Sequence, residues 1–570
     1  MTKRSEKRKS MVNLLVSAAT VLLLMFISTQ LFWRIDLTSE KRYSLSPVSK
    51  QILSNLNDVV YIQVYLEGEL PIGFSKMQRS LRETLDEFRI YAHENLQYVF
   101  VNPSESGNAK EREAIYAELY NRGIEPTNIY DRDKEGGSIQ KVLFPGAMIS
   151  YKGKELPLNL LKNNPALSGD ENINRSIQAF EFTFIDAIER LSIDTLPKLA
   201  FIEGHGELNQ FQTGDLAQTL SGRFKVDYVE LNGNVGQLKD YSIVVVAGPT
   251  APIPETHKLV LDQYVMQGGR MIWLVDPVRV NADSLSRGAS TIAMPNQHNL
   301  DDMLFRYGVR LNSRLVQDIQ CAVIPVNVAL AGQDPRFAPA PWPFYPLLAP
   351  PANHPVTRNL NLVKTEFISS IDLVSDENGI SKTVLLSTSQ NSRELQAPLF
   401  VSLSQIEMSP RERDYHISNL PVAVVLEGEF PSNFTNRPLS SYNNGAPFTL
   451  KPKGVSTKMA VIADADIIRN DVRLRPDGAL ITPLGYDRYT KQTFGNKEFM
   501  VNLVSYLTDD AGLLGLRSKE FKLRLLDKKK ISEERLKWQV INLALPSLLL
   551  VLLGVAWFYV RRYRFSRRES

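Results

Sequence analysis

Apolar positions along this chain switch between a spacing of three and four and unbroken or alternating runs, and the switches mark its elements. Ser46 followed by Pro47 reads as an N-cap and first helical residue, predicting a short helix to about Asn55. VVYIQVYLEG (59–68), rich in β-branched and aromatic residues, predicts a strand. In SKMQRSLRETLDEFRIYAHE, Met77, Leu81, Leu85 and Phe88 fall on one helical face. LQYVFVNP (96–103) predicts a second strand, and AKEREAIYAELYNRG (109–123) a helix stopped by Gly123. VLFPGAMISYKGKELPLNLL predicts a hairpin turning at Lys152-Gly153. ENINRSIQAFEFTFIDAIERLS (171–192) then places Ile173, Ile177, Phe180, Phe184, Ile188 and Leu191 at helical spacing. It reads as an amphipathic helix joining two domains and packed on both.

The first of those domains, 34–170, has a β-α-β-α-β-β order that resembles a thioredoxin-like domain. The redox motif of that fold is absent, because Cys321 is the only cysteine. From Pro197 the pattern becomes strand–helix alternation: KLAFIEG, FKVDYVEL, SIVVVAGP (242–249), RMIWLVDP (270–277) and KMAVIADAD (458–466) predict strands. Runs as apolar as SIVVVAGP belong to parallel sheets buried on both faces. The class is therefore α/β, with a doubly wound domain over 196–515 of flavodoxin-like or class I glutamine-amidotransferase-like form. An insertion at about 290–457 carries eight prolines between 335 and 355, and its aromatics Phe337, Trp342, Phe344 and Tyr345 are candidates for a partner surface. The alternative is an ordered loop with these rings tucked in.

Composition changes the picture at the ends. Of the 570 residues 43% are apolar and 22% charged, as in a globular protein, and the pI is 8.7. The basic excess sits in the tails 1–10 and 561–570, which together carry +8 and leave −4 on the residues between them. A mildly acidic body argues against nucleic-acid binding. Between Lys9 and Arg34 lie 24 uncharged residues, and between Lys537 and Arg561 another 23. At ~1.5 Å per residue either run spans a ~30 Å hydrocarbon core. We read transmembrane helices at 11–33 and 538–560, both tails cytoplasmic, and the body outside as a membrane-tethered ectodomain. A cleaved signal peptide is the rival for the first run, but STQLFWRIDL has no small-x-small site. A linker helix at 171–195 and a juxtamembrane segment at 516–537 complete the organisation; its basic run Lys528, Lys529 and Lys530 is a candidate partner contact.

The stretch FIEGHGEL (201–208) sets Glu203, His205 and Glu207 around two glycines at a strand end. Ligands collect at the carboxyl ends of strands in such sheets, where Asp276, Asp464 and Asp466 also fall. Convergence would give a carboxylate–imidazole metal site or an acid–base pair for hydrolysis. Against both stand the other histidines, remote in sequence, and the absence of HExxH, GxSxG and GxxxxGK[ST] motifs. Structurally, Gly204 and Gly206 suit a tight turn, Glu207 suits the positive end of a following helix, and Asp464 and Asp466 suit strand-end caps. The reading is a candidate ligand or partner edge, with no catalytic residue, no metal and no cofactor assigned.

RIDLTSEKRYSLSP after the first apolar run, GHGE after a strand, VVVAGP…GGRMIWLVDP, and LRLLDKKKISEERLKWQVIN before the last run occur in order. Together they resemble the GldG family of gliding-motility-associated ABC transporter auxiliary proteins, over essentially the full chain. That resemblance implies a GldA-like ATPase and a GldF-like permease as partners in the inner membrane, and it admits an oligomer. It implies a non-catalytic accessory subunit; a periplasmic solute receptor and a metal-dependent hydrolase are the alternatives.

Overall fold

The computed structural model describes residues 11–12, 14–23, 25, 44–132, 138–162, 168–281, 284–285, 290–327, 329, 333–334, 336–351, 354–358, 360–374, 379–403, 406, 412–435, 437, 448–475, 478–509, 512 and 528–566. It forms two units, Tyr43–Lys519 and the two chain ends, Met1–Arg42 with Glu520–Ser570.

In the larger unit, α1 (Pro47–Ser54) starts on a proline at its first position, and Ser46 Oγ accepts from Ser49 N at 3.0 Å. β1 (Val60–Val64) and β2 (Leu96–Phe100) pair in parallel through the crossover helix α2 (Ile72–Ala92). Met77, Leu81, Leu85 and Phe88 of α2 are fully buried. α3 (Ala109–Asn121) is capped by Asn108 and ends before Gly123, whose φ is 89°. A hairpin of β3 (Thr127–Arg132) and β4 (Ser138–Leu143) follows, without a clear signal in the residue pattern. β5 (Gly146–Tyr151) runs antiparallel to β1 and returns as β6 (Lys154–Asn159). The turn between them holds Lys152 and Gly153 at φ 50° and 74°, the left-handed pair that matches strand twist. The sheet order is β2-β1-β5-β6.

α4 (Gly169–Ser192) opens on a capping box of Ser168 and Glu171 and buries Phe180, Phe184, Ile188 and Leu191 in the same core as α2. That apolar cluster reaches no further than Leu191. The helix meets the next domain through polar groups instead, so its apolar face serves one domain rather than two.

The second sheet is built from β7 (Lys198–Glu203), β8 (Lys225–Glu230), β9 (Tyr241–Ala247), β10 (Arg270–Leu274), β11 (Ser381–Ser387), β12 (Pro421–Gly428) and β13 (Thr457–Ile462). Its order is β11-β12-β13-β10-β9-β7-β8, parallel from β13 to β8 and antiparallel at β12 and β11. Successive residues feed opposite cores: Leu199, Phe201, Val245 and Ile272 face one, Ala200, Ile202, Val244 and Trp273 the other. α5 (Gly214–Leu220) and α8 (Asn496–Thr508) cover the first face, while α6 (Glu255–Met266) and α7 (Asp301–Tyr307) cover the second.

The stretch assigned to an insertion supplies β11 and β12 to this sheet. Its Pro-rich segment is a strand, Phe337–Leu348, antiparallel to Cys321–Asn327. Trp342 and Phe344 are each 2% exposed and pack at 5.1 Å between ring centroids. Tyr345 lies 5.1 Å from the Phe367 ring, with burial and then Glu366 pushing its phenol well up. Trp342 and Phe344 are therefore interior residues and not a partner surface: strand alternation turns them onto a core, and Phe337 is the ring left exposed.

In the other unit, α9 (Lys528–Ser566) includes the candidate membrane span Glu534–Tyr563, 30 residues long, within which the run between Lys537 and Arg561 is uncharged. Its described side chains are exposed on every side, as in a helix whose solvent is lipid. Near the other end, Leu14–Leu23 is a shorter apolar helix. Most of the remainder of the expected first span, the tails 1–10 and 567–570, and most of the juxtamembrane segments lie outside the described residues. Lys528, Lys529 and Lys530 begin α9, but their side chains are also outside them.

Trp342→Ala should lower stability by about 3–5 kcal/mol, as for a large buried ring. Chemical denaturation of the full chain in detergent checks this; a loss of partner binding with unchanged stability would contradict the core assignment.

Candidate functional site

Taking only the parallel strands in chain order, β7, β8, β9, β10 and β13, the spatial order is second, first, third, fourth, fifth. The direction of winding reverses at β7, so the loops after β7 and β9 leave on opposite sides and open a crevice between them. The GHGE turn is the first of those loops. Gly204 and Gly206 take φ of 112° and 77°, which L side chains rarely adopt.

His205 is 4% exposed and stands in that crevice with both ring nitrogens filled. Its Nδ1 pairs with Glu207 Oε1 at 2.8 Å, and its Nε2 pairs with His257 Nδ1 at 2.8 Å. Glu207 Oε2 also accepts from His205 N at 2.6 Å, and the carboxylate is fully enclosed. Glu207 is thus no helix-end charge: α5 starts at Gly214, and the carboxylate folds back on its own turn. His257, in the first turn of α6, is half-buried, and burial followed by the nearby His205 pushes its imidazole below the ordinary range.

The backbone completes the closure. Thr250 N and Ala251 N donate to His205 O at 3.0 and 2.9 Å, and Thr250 Oγ1 donates to Gly206 O at 3.1 Å. A Cβ on Gly206 would stand 2.1 Å from Thr250 Oγ1, so only glycine lets the loops meet. Next to His257, the fully buried Lys258 holds α6 to α7, bonded to Glu255 at 3.0 Å and Asp302 at 2.6 Å. Burial raises the Asp302 acid, but Lys258, Asn433 and Arg437 outweigh it and bring it down to about 2.

The histidine remote in sequence is therefore the direct partner of His205. The available signal was strand order: a histidine after the first parallel strand and one after the third face the same crevice. Glu203 is outside this chain of groups. It ends β7 in register with Glu230 and lies beside Tyr228, whose phenol is raised by burial and further by the Glu203 charge.

The aspartates form a second cluster at the ends of β10 and β13. Asp276 Oδ1 accepts from Ala465 N at 2.8 Å, and Asp464 accepts from Asp466 N at 2.8 Å and Glu366 N at 3.3 Å. Arg469 joins Asp466 at 3.0 Å to Glu366 at 3.2 Å. Burial pushes all three aspartates up, Asp466 to about 8, although the Arg469 guanidinium opposes it there. Of the three, Asp464 is the carboxyl we take to hold a proton. It is fully buried and accepts from the backbone N–H groups of Glu366 and Asp466, whereas Asp466 touches a permanent cation. The two clusters approach at Gly248, where a Cβ would meet Ala465 Cβ at 2.9 Å and Asp276 Oδ2 at 3.9 Å. Among the described residues, no three His, Cys, Asp or Glu side chains are grouped to hold a metal ion.

Residues 196–503, which include both clusters, match the family described as an ABC-type uncharacterized transport system. The chain belongs to this family of ABC transport auxiliary proteins. Residues 39–150 match a separate domain of unknown function. An uncharacterized protein of Borreliella burgdorferi is 21% identical over 444 residues, which is 76% of this chain and 80% of that protein. Among solved structures, the mmIFT52 N-terminal domain aligns with 55% of this chain and 97% of its own, at 14% identity and TM-score 0.31. An exo-beta-1,4-mannosidase from Opitutaceae bacterium strain TAV5 aligns with 69% and 46%, at 9% identity and TM-score 0.18. At those TM-scores neither bears on the fold. A transport-system protein with an exposed apolar helix of this length is membrane-associated.

Gly206→Ala should cost more than about 1 kcal/mol, because strained φ adds to the clash. Adding Thr250→Ala should recover part of that loss; full recovery in denaturant titrations would show that φ carries no cost. The aspartate cluster sets a pH dependence. A carboxyl raised above its unfolded value of about 3.9 binds its proton more tightly in the native state. Its contribution to stability therefore falls as pH climbs from about 4 through the native pKa. Asp464→Asn should flatten the stability–pH curve between about pH 5 and 8, and an unchanged slope would place the proton elsewhere.

Proposed function

We propose that this chain is a non-catalytic, extracytoplasmic accessory subunit of an ABC transporter complex of the GldG type, serving gliding motility or associated export. The observation that carries the reading is the family match over 196–503 in a chain ending in a long exposed apolar helix. In this reading the shorter helix Leu14–Leu23 belongs to a second span, both termini are cytoplasmic and the body is periplasmic. The partners are a GldF-like permease, packed on the membrane helices, and a GldA-like ATPase.

The domains fit scaffolds. A parallel β1–β2 pair followed by an antiparallel hairpin supports a thioredoxin-like first domain, and the order of the parallel strands supports a flavodoxin-like or amidotransferase-like second one. The non-catalytic assignment is supported by the switch point itself. His205 and Glu207 spend their hydrogen-bonding atoms on each other, on His257 and on the turn.

A periplasmic solute receptor is the second reading, favoured by the position of His257, half-buried in the crevice where such sheets take ligands. It requires Thr250 and His205 to part.

Copurification decides between a subunit and a free receptor. Permease and ATPase should come down with the full chain and be lost when 534–563 is replaced by an unrelated membrane helix. Recovery of the chain without either partner under mild solubilisation would sink the accessory-subunit reading.

A further inference from the structure

Both ends of the larger unit tie into one helix. On the N-terminal side, Glu181 Oε1 of α4 accepts from Ser46 N and from Ser49 Oγ, each at 2.7 Å, fixing the first turn of α1. On the C-terminal side, Arg223 donates through Nη2 to Asp186 Oδ2 at 2.6 Å and through Nη1 to Ser505 Oγ at 3.2 Å. That bridges α4 to the last turns of α8, just before the chain leaves toward α9. From position 181 to 189 the rise along α4 is only ~12 Å.

The two faces of α4 differ in kind. One is sealed into the first domain by Phe180, Phe184 and Ile188, all 0–1% exposed. The other meets the second domain through charges: Asp186, Glu189 and Arg190 of α4, Arg223 from the loop before β8, and Asp509 after α8. Arg190 Nη2 donates to Gly222 O at 3.2 Å, while its Nε is buried with no partner. A junction with an unsatisfied buried donor parts more readily than an apolar one. Burial and then the charges of Asp186 and Asp509 push the Glu189 acid up to about 7, with Arg223 opposing. Below that pH the junction holds two carboxylates against two guanidinium groups; above it, a third carboxylate enters.

We propose that α4 couples the two chain exits of the larger unit, and that the Arg223-centred junction is a latch that loosens when Glu189 takes its charge. Its use in transport rests on the accessory-subunit reading, but the coupling does not. The experiment uses the purified full chain in detergent with no partner, so its outcome is separate from copurification. Hydrogen exchange is followed in peptides covering 47–54 and 501–509 at pH 6 and pH 8, corrected for intrinsic exchange rates. With a closed-state pKa of about 7 and an open-state value near 4.3, latch opening should rise about tenfold over that interval. Glu189→Gln, which keeps shape and removes the charge, should abolish the rise. Glu181→Ala removes the acceptor that fixes the first turn of α1, and should also increase exchange in 501–509. A Glu189→Gln protein that keeps the wild-type pH response overturns the latch. An effect of Glu181→Ala confined to 47–54 overturns the coupling.

Discussion

Where a parallel sheet reverses its winding, two neighbouring strands end with their loops departing to opposite faces, and the gap between them has to be closed by something. In this protein the closure is the Glu207–His205–His257 chain, and much of the α/β domain depends on it. It fixes the exit of β7 against the first turn of α6, so that Leu208 N can reach Ala247 O and the Thr250 loop can lie on Gly206. It also explains why the turn is Gly-His-Gly. Two left-handed positions swing the imidazole inward, and a side chain on Gly206 would hold the loops apart. A ligand in this crevice would have to displace hydrogen bonds that the protein already makes to itself.

The buried charges at α6 and at the aspartate cluster follow from the same sheet. Lys258 is fully buried, yet it lies between Glu255 and Asp302, with Arg437 bonded to both acids, so the charges balance. Replacing such a group by apolar residues is often neutral for stability, so its presence argues for positional specificity. Fully buried Asp262 has the same character: it accepts from Tyr307 Oη, Ser432 Oγ and Asn433 N, tying α6, α7 and the strand-exit loop after β12 into one arrangement. These contacts hold the first turn of α6, and therefore His257, in register with His205.

What was legible in the chain was local. The α2 face, the Lys152-Gly153 turn, the Ser46 cap and the apolar strands are each set by neighbours within a few residues, and periodicity reports them directly. The remainder depends on pairings across the chain. His257 reads as an isolated histidine until β7 and β9 are known to be adjacent. Glu207 reads as a helix-end charge because the start of α5, seven residues on, is set by packing rather than by a strong cap. The Pro-rich segment reads as an unpaired extended arm; only its pairing with Cys321–Asn327 turns Trp342 and Phe344 inward. Asp276, Asp464 and Asp466 were placed at strand ends by pattern, but their contest for a proton follows from β10 lying beside β13.

A helix that joins two domains passes a displacement on selectively only if its junctions are unequal. In the larger unit the inequality is concentrated on α4. Its Phe180–Phe184–Ile188 side is buried in a core whose disruption would cost several kcal/mol per large side chain. Its Asp186–Glu189–Arg190 side rests on the partly exposed Asp186–Arg223 ion pair, worth about 1 kcal/mol at most, and carries the buried, unpartnered Arg190 Nε, which costs about 1–3 kcal/mol. A displacement arriving at either chain exit will therefore move α4 with the first domain as a body, and any yielding occurs at the polar side. The helix is stiff on one side and separable on the other because its apolar residues repeat at three and four, while Asp186, Glu189 and Arg190, the charges that meet the second domain, all fall in its last two turns.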